Sequence, residues 1–193
     1  MSRRVFLLAL LLGPPAFADS TVEEILKRDF HARGQATMDR VVQDGVQRVC
    51  SESRDRPPPE LAKTLAADQM KTIVYPSGSL IGDWKRGERL AQSGQGLTWG
   101  DKPGTAGGSC YNCHQLSPQE SSFGSLGPSL RGFGKLRGTG ADIQRYAYGK
   151  IYNAKAYDLC SQMPRLGYSG TLSEQQIKDL VALLLDPASP VNQ

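Results

Sequence analysis

The 193 residues hold only two histidines and four cysteines, so chemistry that depends on these side chains is confined to a few places. No segment alternates apolar and polar residues over the length of a strand, which leaves no basis for a sheet and points to an all-α class. No apolar run approaches the ~20 residues needed to span a bilayer, and there is no internal repeat. The formal charge is modest at +4, so neither nucleic acid nor a membrane surface is suggested as a partner.

The scarce residues are not scattered. GGSCYNCHQL, residues 107–116, places Cys110, Cys113 and His114 within five positions. Random placement at these frequencies produces Cys-x-x-Cys-His on the order of once in a thousand shuffled sequences. Three chemistries compete for the motif. A redox dithiol belongs at a strand-to-helix junction, and the preceding GLTWGDKPGTAGGS is glycine-rich loop. A structural zinc site needs four ligands, and no second CxxC or HxxxH exists. Covalent attachment of one haem c fits best: each sulfur adds to a vinyl group, and His114 is carried under the ring as an axial ligand to iron.

The N-terminus, MSRRVFLLALLLGPPAFADS, runs from Arg3 and Arg4 through an apolar stretch at Val5–Leu12 to Pro14, Pro15 and the small-residue site Ala16-Phe17-Ala18. Residues 1–18 are therefore read as a signal peptide cleaved near Ala18, the run being too short for a membrane anchor, and the chain as periplasmic. SRRVFLL also looks like a twin-arginine motif. Haem, however, is attached after translocation, so export unfolded is the simpler route and the Arg pair is taken as an ordinary positive n-region. Loss of Arg3 and Arg4 lowers the formal charge to +2, and two haem propionates would bring it near neutral.

With Cys110 and Cys113 assigned to thioethers, Cys50 and Cys160 are left over. In an oxidising compartment a Cys50–Cys160 disulfide is the favoured pairing, against two free thiols or a bond to another chain. It would tie an N-terminal helical extension, residues 19–78, to a class I cytochrome c-like domain at residues 79–193. In the extension, Ser20 and Glu23 stand at capping-box spacing before an amphipathic helix carrying Val22, Ile25, Leu26 and Phe30. Gly34 ends that helix. Met38, Val41, Val42, Val46 and Val49 continue at helical spacing to Cys50, and a proline turn precedes a helix over ELAKTLAADQM. In the second domain, Trp84, Gly87, Leu90 and Ala91 share a helix face, and the mid-helix glycine predicts another helix crossing closely there. The last helix supplies that partner, with Ser173 and Gln176 as a capping box and Ile177, Leu180, Val181 and Leu184 as its stripe. Between them lie the glycine-rich SSFGSLGPSLRGFGKLRGTG, read as loop, and a helical DIQRYAYGKIYNAKAY.

The second axial position decides between electron transfer and small-molecule chemistry. Met38, Met70, Met163 and His31 are the candidates. Met163 is preferred, because Pro164 holds the residue before it extended and lets a loop aim the thioether, whereas His31 reads as a partly exposed histidine on an amphipathic helix. His114 also needs an acceptor for its other ring N–H, and LGPSLRG offers the carbonyl of Pro128, an arrangement resembling the Gly-Pro-x-Leu loop of class I cytochromes c. An ordinary Gly127-Pro128 turn is the alternative. Arg131, Lys135, Arg137, Lys150 and Arg165 flank these loops as a basic rim for an acidic partner or an anionic substrate, although solvated charge is the preferred reading.

Taken together, CYNCH, GPSL and MPRLGYSGTLSEQQIKDLVALLLDPASP are similar to the SoxX family, monohaem subunits of the SoxAX cytochromes of bacterial sulfur oxidation. The match covers roughly residues 79–193, and its most specific part is the Met-Pro…Gly…Leu-Ser-x-x-Gln-Ile-x-Asp-Leu-Val-Ala tail. Residues 19–78 depart from the shortest members. The resemblance implies a heterodimer with SoxA, which carries the catalytic haem. The complex would oxidatively couple thiosulfate to a cysteine of the carrier protein SoxYZ, an L-cysteine S-thiosulfotransferase reaction releasing two electrons. The present chain would then hold no catalytic residue and would relay electrons to an acceptor cytochrome. A free-standing periplasmic electron carrier, and a structural subunit with a redox-silent haem, are the competing functions.

Overall fold

The computed structural model describes residues 21–102, 104 and 106–193. The leader and its cleavage site, together with Ser20, lie outside them. The chain divides into two units, Met1–His31 and Ala32–Gln193. In the first, α1 (Val22–Asp29) is opened by Thr21, not Ser20. The Thr21 hydroxyl accepts from the Glu24 N–H while the Glu24 carboxylate accepts from the Thr21 N–H, so the capping box stands one residue later than the spacing suggested.

Within the second unit all regular elements are helical, as the missing strand pattern required, and among the described residues the pairing is limited to an isolated bridge between Arg33 and Ala36. The helix expected to run from Met38 to Cys50 is divided. Met38–Val41 forms a 3₁₀ turn, Val42 turns extended, and Asp44 caps a new helix, α2 (Gly45–Glu52), through a box with Gln47. The acceptor at Asp44 overrides the apolar periodicity because it satisfies the free N–H groups of a helix start. Next come α3 (Pro59–Lys71) and α4 (Trp84–Gln92). A short α5 (Phe133–Arg137) lies inside the glycine-rich segment read as loop. It is held from outside: Asn192 accepts from the N–H groups of Gly134 and Lys135 and donates to the carbonyls of Leu184 and Asp186. Then α6 (Ala141–Tyr152) ends at Asn153, earlier than expected, and a 3₁₀ turn at Ala154–Ala156 follows. The buried Asn153 side chain caps that turn and donates to Gln69 and Thr72, tying it to the end of α3.

The last helix, α7 (Glu174–Leu185), is the centre of the molecule. Leu180–Leu185 are all buried, so its apolar surface is wider than the four-residue stripe. It packs against α4, α5 and α6. The α4 crossing occurs where the glycine predicted it, since a Cβ on Gly87 would stand 2.1 Å from the Asp179 carbonyl oxygen. The main core joins Ala91, Leu116, Phe133, Tyr148, Ile151, Ile177 and Val181, with Cys110, Leu130 and Met163 packed on its edge. A second, smaller cluster of Val46, Cys50 and Leu159 joins α2 and α3 to the 159–160 segment. No helix among the described residues is long and apolar enough to cross a membrane.

Candidate functional site

The CxxCH turn is built on the end of α4. Helix C-termini leave carbonyls without partners, and the Gly107-Gly108-Ser109 segment supplies donors: the N–H of Gly108 to Leu90 and of Ser109 to the cap residue Ser93, at 2.8 and 3.0 Å, while the N–H of Gly107 donates to Gln95, just past the helix, at 2.7 Å. The approach requires the glycine, because a Cβ on Gly107 would sit 2.1 Å from the Ser93 carbonyl oxygen. Ser109 then adopts a left-handed φ of 47° and starts a 3₁₀ turn at Cys110–Asn112. This turn brings Cys110, Cys113 and His114 to one place. Both cysteines are partly buried and unpaired.

A second loop wraps the turn. The N–H groups of Gly124, Gly127 and Leu130 donate to the carbonyls of Tyr111, Cys113 and Gln115 at 2.8, 2.7 and 2.8 Å. They lay residues 124–130 along residues 111–115. Gly127 lies directly against the imidazole, where a Cβ would be 2.2 Å from His114 Cε1. One residue on, the Pro128 carbonyl lies 2.7 Å from His114 Nδ1. A carbonyl only accepts, so Nδ1 carries the proton and Nε2 keeps its lone pair as a ligand atom. Gly127 is the glycine of the Gly-Pro pair read from the sequence, whereas Gly124 was not singled out there: a Cβ on it would stand 1.9 Å from the Asn112 carbonyl oxygen, a contact that exists only once the loop lies back on the motif.

Burial pushes the Cys110 thiol up to about 11, whereas a redox dithiol works through a thiol of lowered value. Two thiols beside an imidazole oriented through Nδ1 fit a covalently held haem iron. Met163 lies at the edge of the same core as Cys110 and Leu130, partly buried, with its N–H donating to the Ser161 hydroxyl at 3.3 Å and Pro164 following it. The other ligand candidates are placed differently: Met70 is exposed on α3, Met38 sits in the 3₁₀ turn, and His31 is exposed in the first unit. Phe123 and Leu126, in the loop that wraps the motif, present exposed apolar side chains.

Cys50 and Cys160 form a disulfide, closing a separation of 110 residues. The Asp55 carboxylate lies within 4.8 Å of both sulfurs, but oxidised sulfur offers no thiolate, so this trio is not a metal site. Arg165 does not belong to a rim. Its side chain is 13 % exposed, stacks over Tyr168 and is ion-paired with Asp44, while Arg131, Lys135 and Arg137 are exposed. Burial alone would raise the Asp44 carboxyl, but the Gln47 N–H and the Arg165 guanidinium outweigh it and hold it below the ordinary carboxylate value.

Fold and site define an all-α chain of the cytochrome c-like class, in which a CxxCH turn is wrapped by a Gly-Pro loop and backed by the α4–α7 crossing. It belongs to the family of an uncharacterized lipoprotein of Aquifex aeolicus (strain VF5), with 39 % identity over 155 residues, 78 % of this chain and 73 % of that protein. No family model matches the chain. Among solved structures, the crystal structure of SoxXA from P. pantotrophus is similar at 26 % identity and a TM-score of 0.42, over 60 % of this chain and 89 % of that one.

Proposed function

We propose that the protein is an exported c-type cytochrome carrying one covalent haem, and that it serves as the electron-transfer subunit of a SoxAX-type thiosulfate-oxidising complex. The observation that carries the class is His114, whose Nδ1–H is committed to Pro128 so that Nε2 is available as an axial donor. Cys110 and Cys113 would hold the group through thioethers, and Met163 would supply the sixth ligand; once bound, haem iron supplies reversible one-electron chemistry. Hydrogen bonding to Pro128 makes the imidazole the stronger donor and fixes its plane. A Met163 thioether would favour ferrous iron, and a haem held by both His114 and Met163 would offer no open position to a substrate. Bond-making between thiosulfate and the SoxYZ cysteine then belongs to SoxA, with this chain accepting electrons and delivering them to an acceptor cytochrome. The family name rests on the motif series ending in the Met163–Pro190 tail. Export rests on the leader sequence and agrees with the lipoprotein designation of the Aquifex relative.

Two measurements test the two levels. The oxidised protein is expected to display the weak sulfur-to-iron charge-transfer band, and Met163→Ala to abolish it; survival of the band in the variant refutes the ligand assignment. A tagged chain co-expressed with the host's SoxA is expected to retain it through purification. Elution of the chain alone would favour the free-standing carrier.

A further inference from the structure

The segment that carries Met163 is packed on one side only. Its side chain rests on the main core, but Ser161–Arg165 also border a cavity of about 220 Å³ whose other lining includes Gln43, Gln47, Ser51 and Lys155. That wall is polar, and apolar burial does little to hold a loop against it. Specific ties do the holding instead. Three positions before Met163, Cys160 is bonded to Cys50 of α2. Two positions after it, the Arg165 guanidinium is ion-paired with Asp44 and donates to Gln69 Oε1 of α3 at 3.4 Å. From beneath, the buried Lys155 ammonium donates to the carbonyls of Leu159 and Ser161 at 3.2 Å each. Asp44 is itself fixed as the cap of α2, and α3 is anchored through Asn153.

We propose that residues 44–69 are a brace for the sixth ligand: Cys50, Asp44 and Arg165 are positioning residues that pin the 160–165 loop at both ends and so keep the Met163 thioether at the iron. The inference deepens the reading of Met163 as axial ligand and rests on it. A neutral thioether is a weakly held ligand, and a loop pinned on both sides has little conformational freedom to gain by releasing it. Loss of either pin lets the loop sample positions from which the sulfur does not return, so an external base competes more successfully for iron.

The test uses the haem-loaded full chain and measures imidazole affinity of the oxidised protein together with its sulfur-to-iron charge-transfer band. Asp44→Asn keeps the helix cap and removes the charge facing Arg165, and the double variant Cys50→Ser/Cys160→Ser removes the other pin. Each is expected to bind imidazole at least about tenfold more tightly than the parent, with a weaker band, and Asp44→Glu to return most of the way. Asn192→Ala, which unties α5 from the end of α7 and is hydrogen-bonded to neither the CxxCH turn nor the 160–165 loop, serves as the stability control and is expected to lower the urea midpoint without raising imidazole affinity. Parental imidazole affinity and an intact band in the pin variants would overturn the brace. If the cysteine variant does not fold, Asp44→Asn decides alone. A parent with no band, whose imidazole affinity equals that of Met163→Ala, would sink the ligand assignment itself and the brace with it.

Discussion

At His114 three residues act on one ring. Cys113 and the chain direction deliver it, Pro128 sets its tautomer, and Gly127 leaves the space it occupies. Because the Gly127 contact is with the ring itself at 2.2–2.8 Å, the smallest side chain is already too large. Gly127→Ala is expected to rotate the imidazole or displace the loop at a cost of about 1–3 kcal/mol, and to reduce haem retention through purification; retention and a urea midpoint equal to the parent would contradict the steric argument. The CxxCH spacing and the Gly-Pro pair were legible from residues alone. The contact making Gly127 obligatory was not, because it joins positions brought together only when the 124–130 loop folds back.

Between elements, the α4–α7 crossing combines a close approach with a buried charge. Asp179 is buried and accepts from the Asp83 N–H, both Arg86 guanidinium donors and Gln175, all within 2.9 Å. Burial by itself would raise its carboxyl, but the Arg86 guanidinium and the other donors hold it below the ordinary value; at Asp83 the N–H of Arg86 does the same. A carboxylate with a lowered folded value contributes stability that is complete above the unfolded value of about 4 and is lost as pH falls through the folded one. Urea midpoints are therefore expected to fall steeply below about pH 4, and Asp179→Asn to be less stable at neutral pH with a flatter acid limb; an unchanged limb would remove Asp179 from this role. Gly87→Ala poses propensity against sterics. Alanine gains roughly 1 kcal/mol as a helix residue, yet its Cβ would meet backbone of α7, so a net loss of about 1–3 kcal/mol is expected in equilibrium unfolding. A stabilised variant would mean that the helices can part.

Across the whole molecule, the Cys50–Cys160 bond links the beginning of the second unit to the loop that holds Met163. Closing a separation of 110 residues removes loop entropy from the unfolded chain, about 4–5 kcal/mol in the chain-entropy model. Reduced protein is therefore expected to unfold at a markedly lower urea concentration, and a shift of less than about 1 kcal/mol would show that the second cluster and the Asp44–Arg165 pair suffice without it. The pairing could be favoured from residue count and compartment, and the extent to which α2 and α3 pack on the 153–165 region could not. The Asp44 cap that divides the predicted helix and the Asn153 and Asn192 side chains that tie separate segments are single polar residues, invisible to apolar periodicity.

What the sequence determined by itself was local: the all-α class, the CxxCH motif, the Pro128 acceptor, the capping box of α7 and the need for a helix partner at Gly87 all follow from spacing and chemistry within short windows. Tertiary structure decided the rest. The helix inside the glycine-rich loop, the burial of α7 nearly all round, the withdrawal of Arg165 from the surface and the brace around Met163 each depend on residues tens of positions apart. Their contacts exist only after the chain has folded, because burial and pairing are properties of neighbours in space rather than neighbours in sequence.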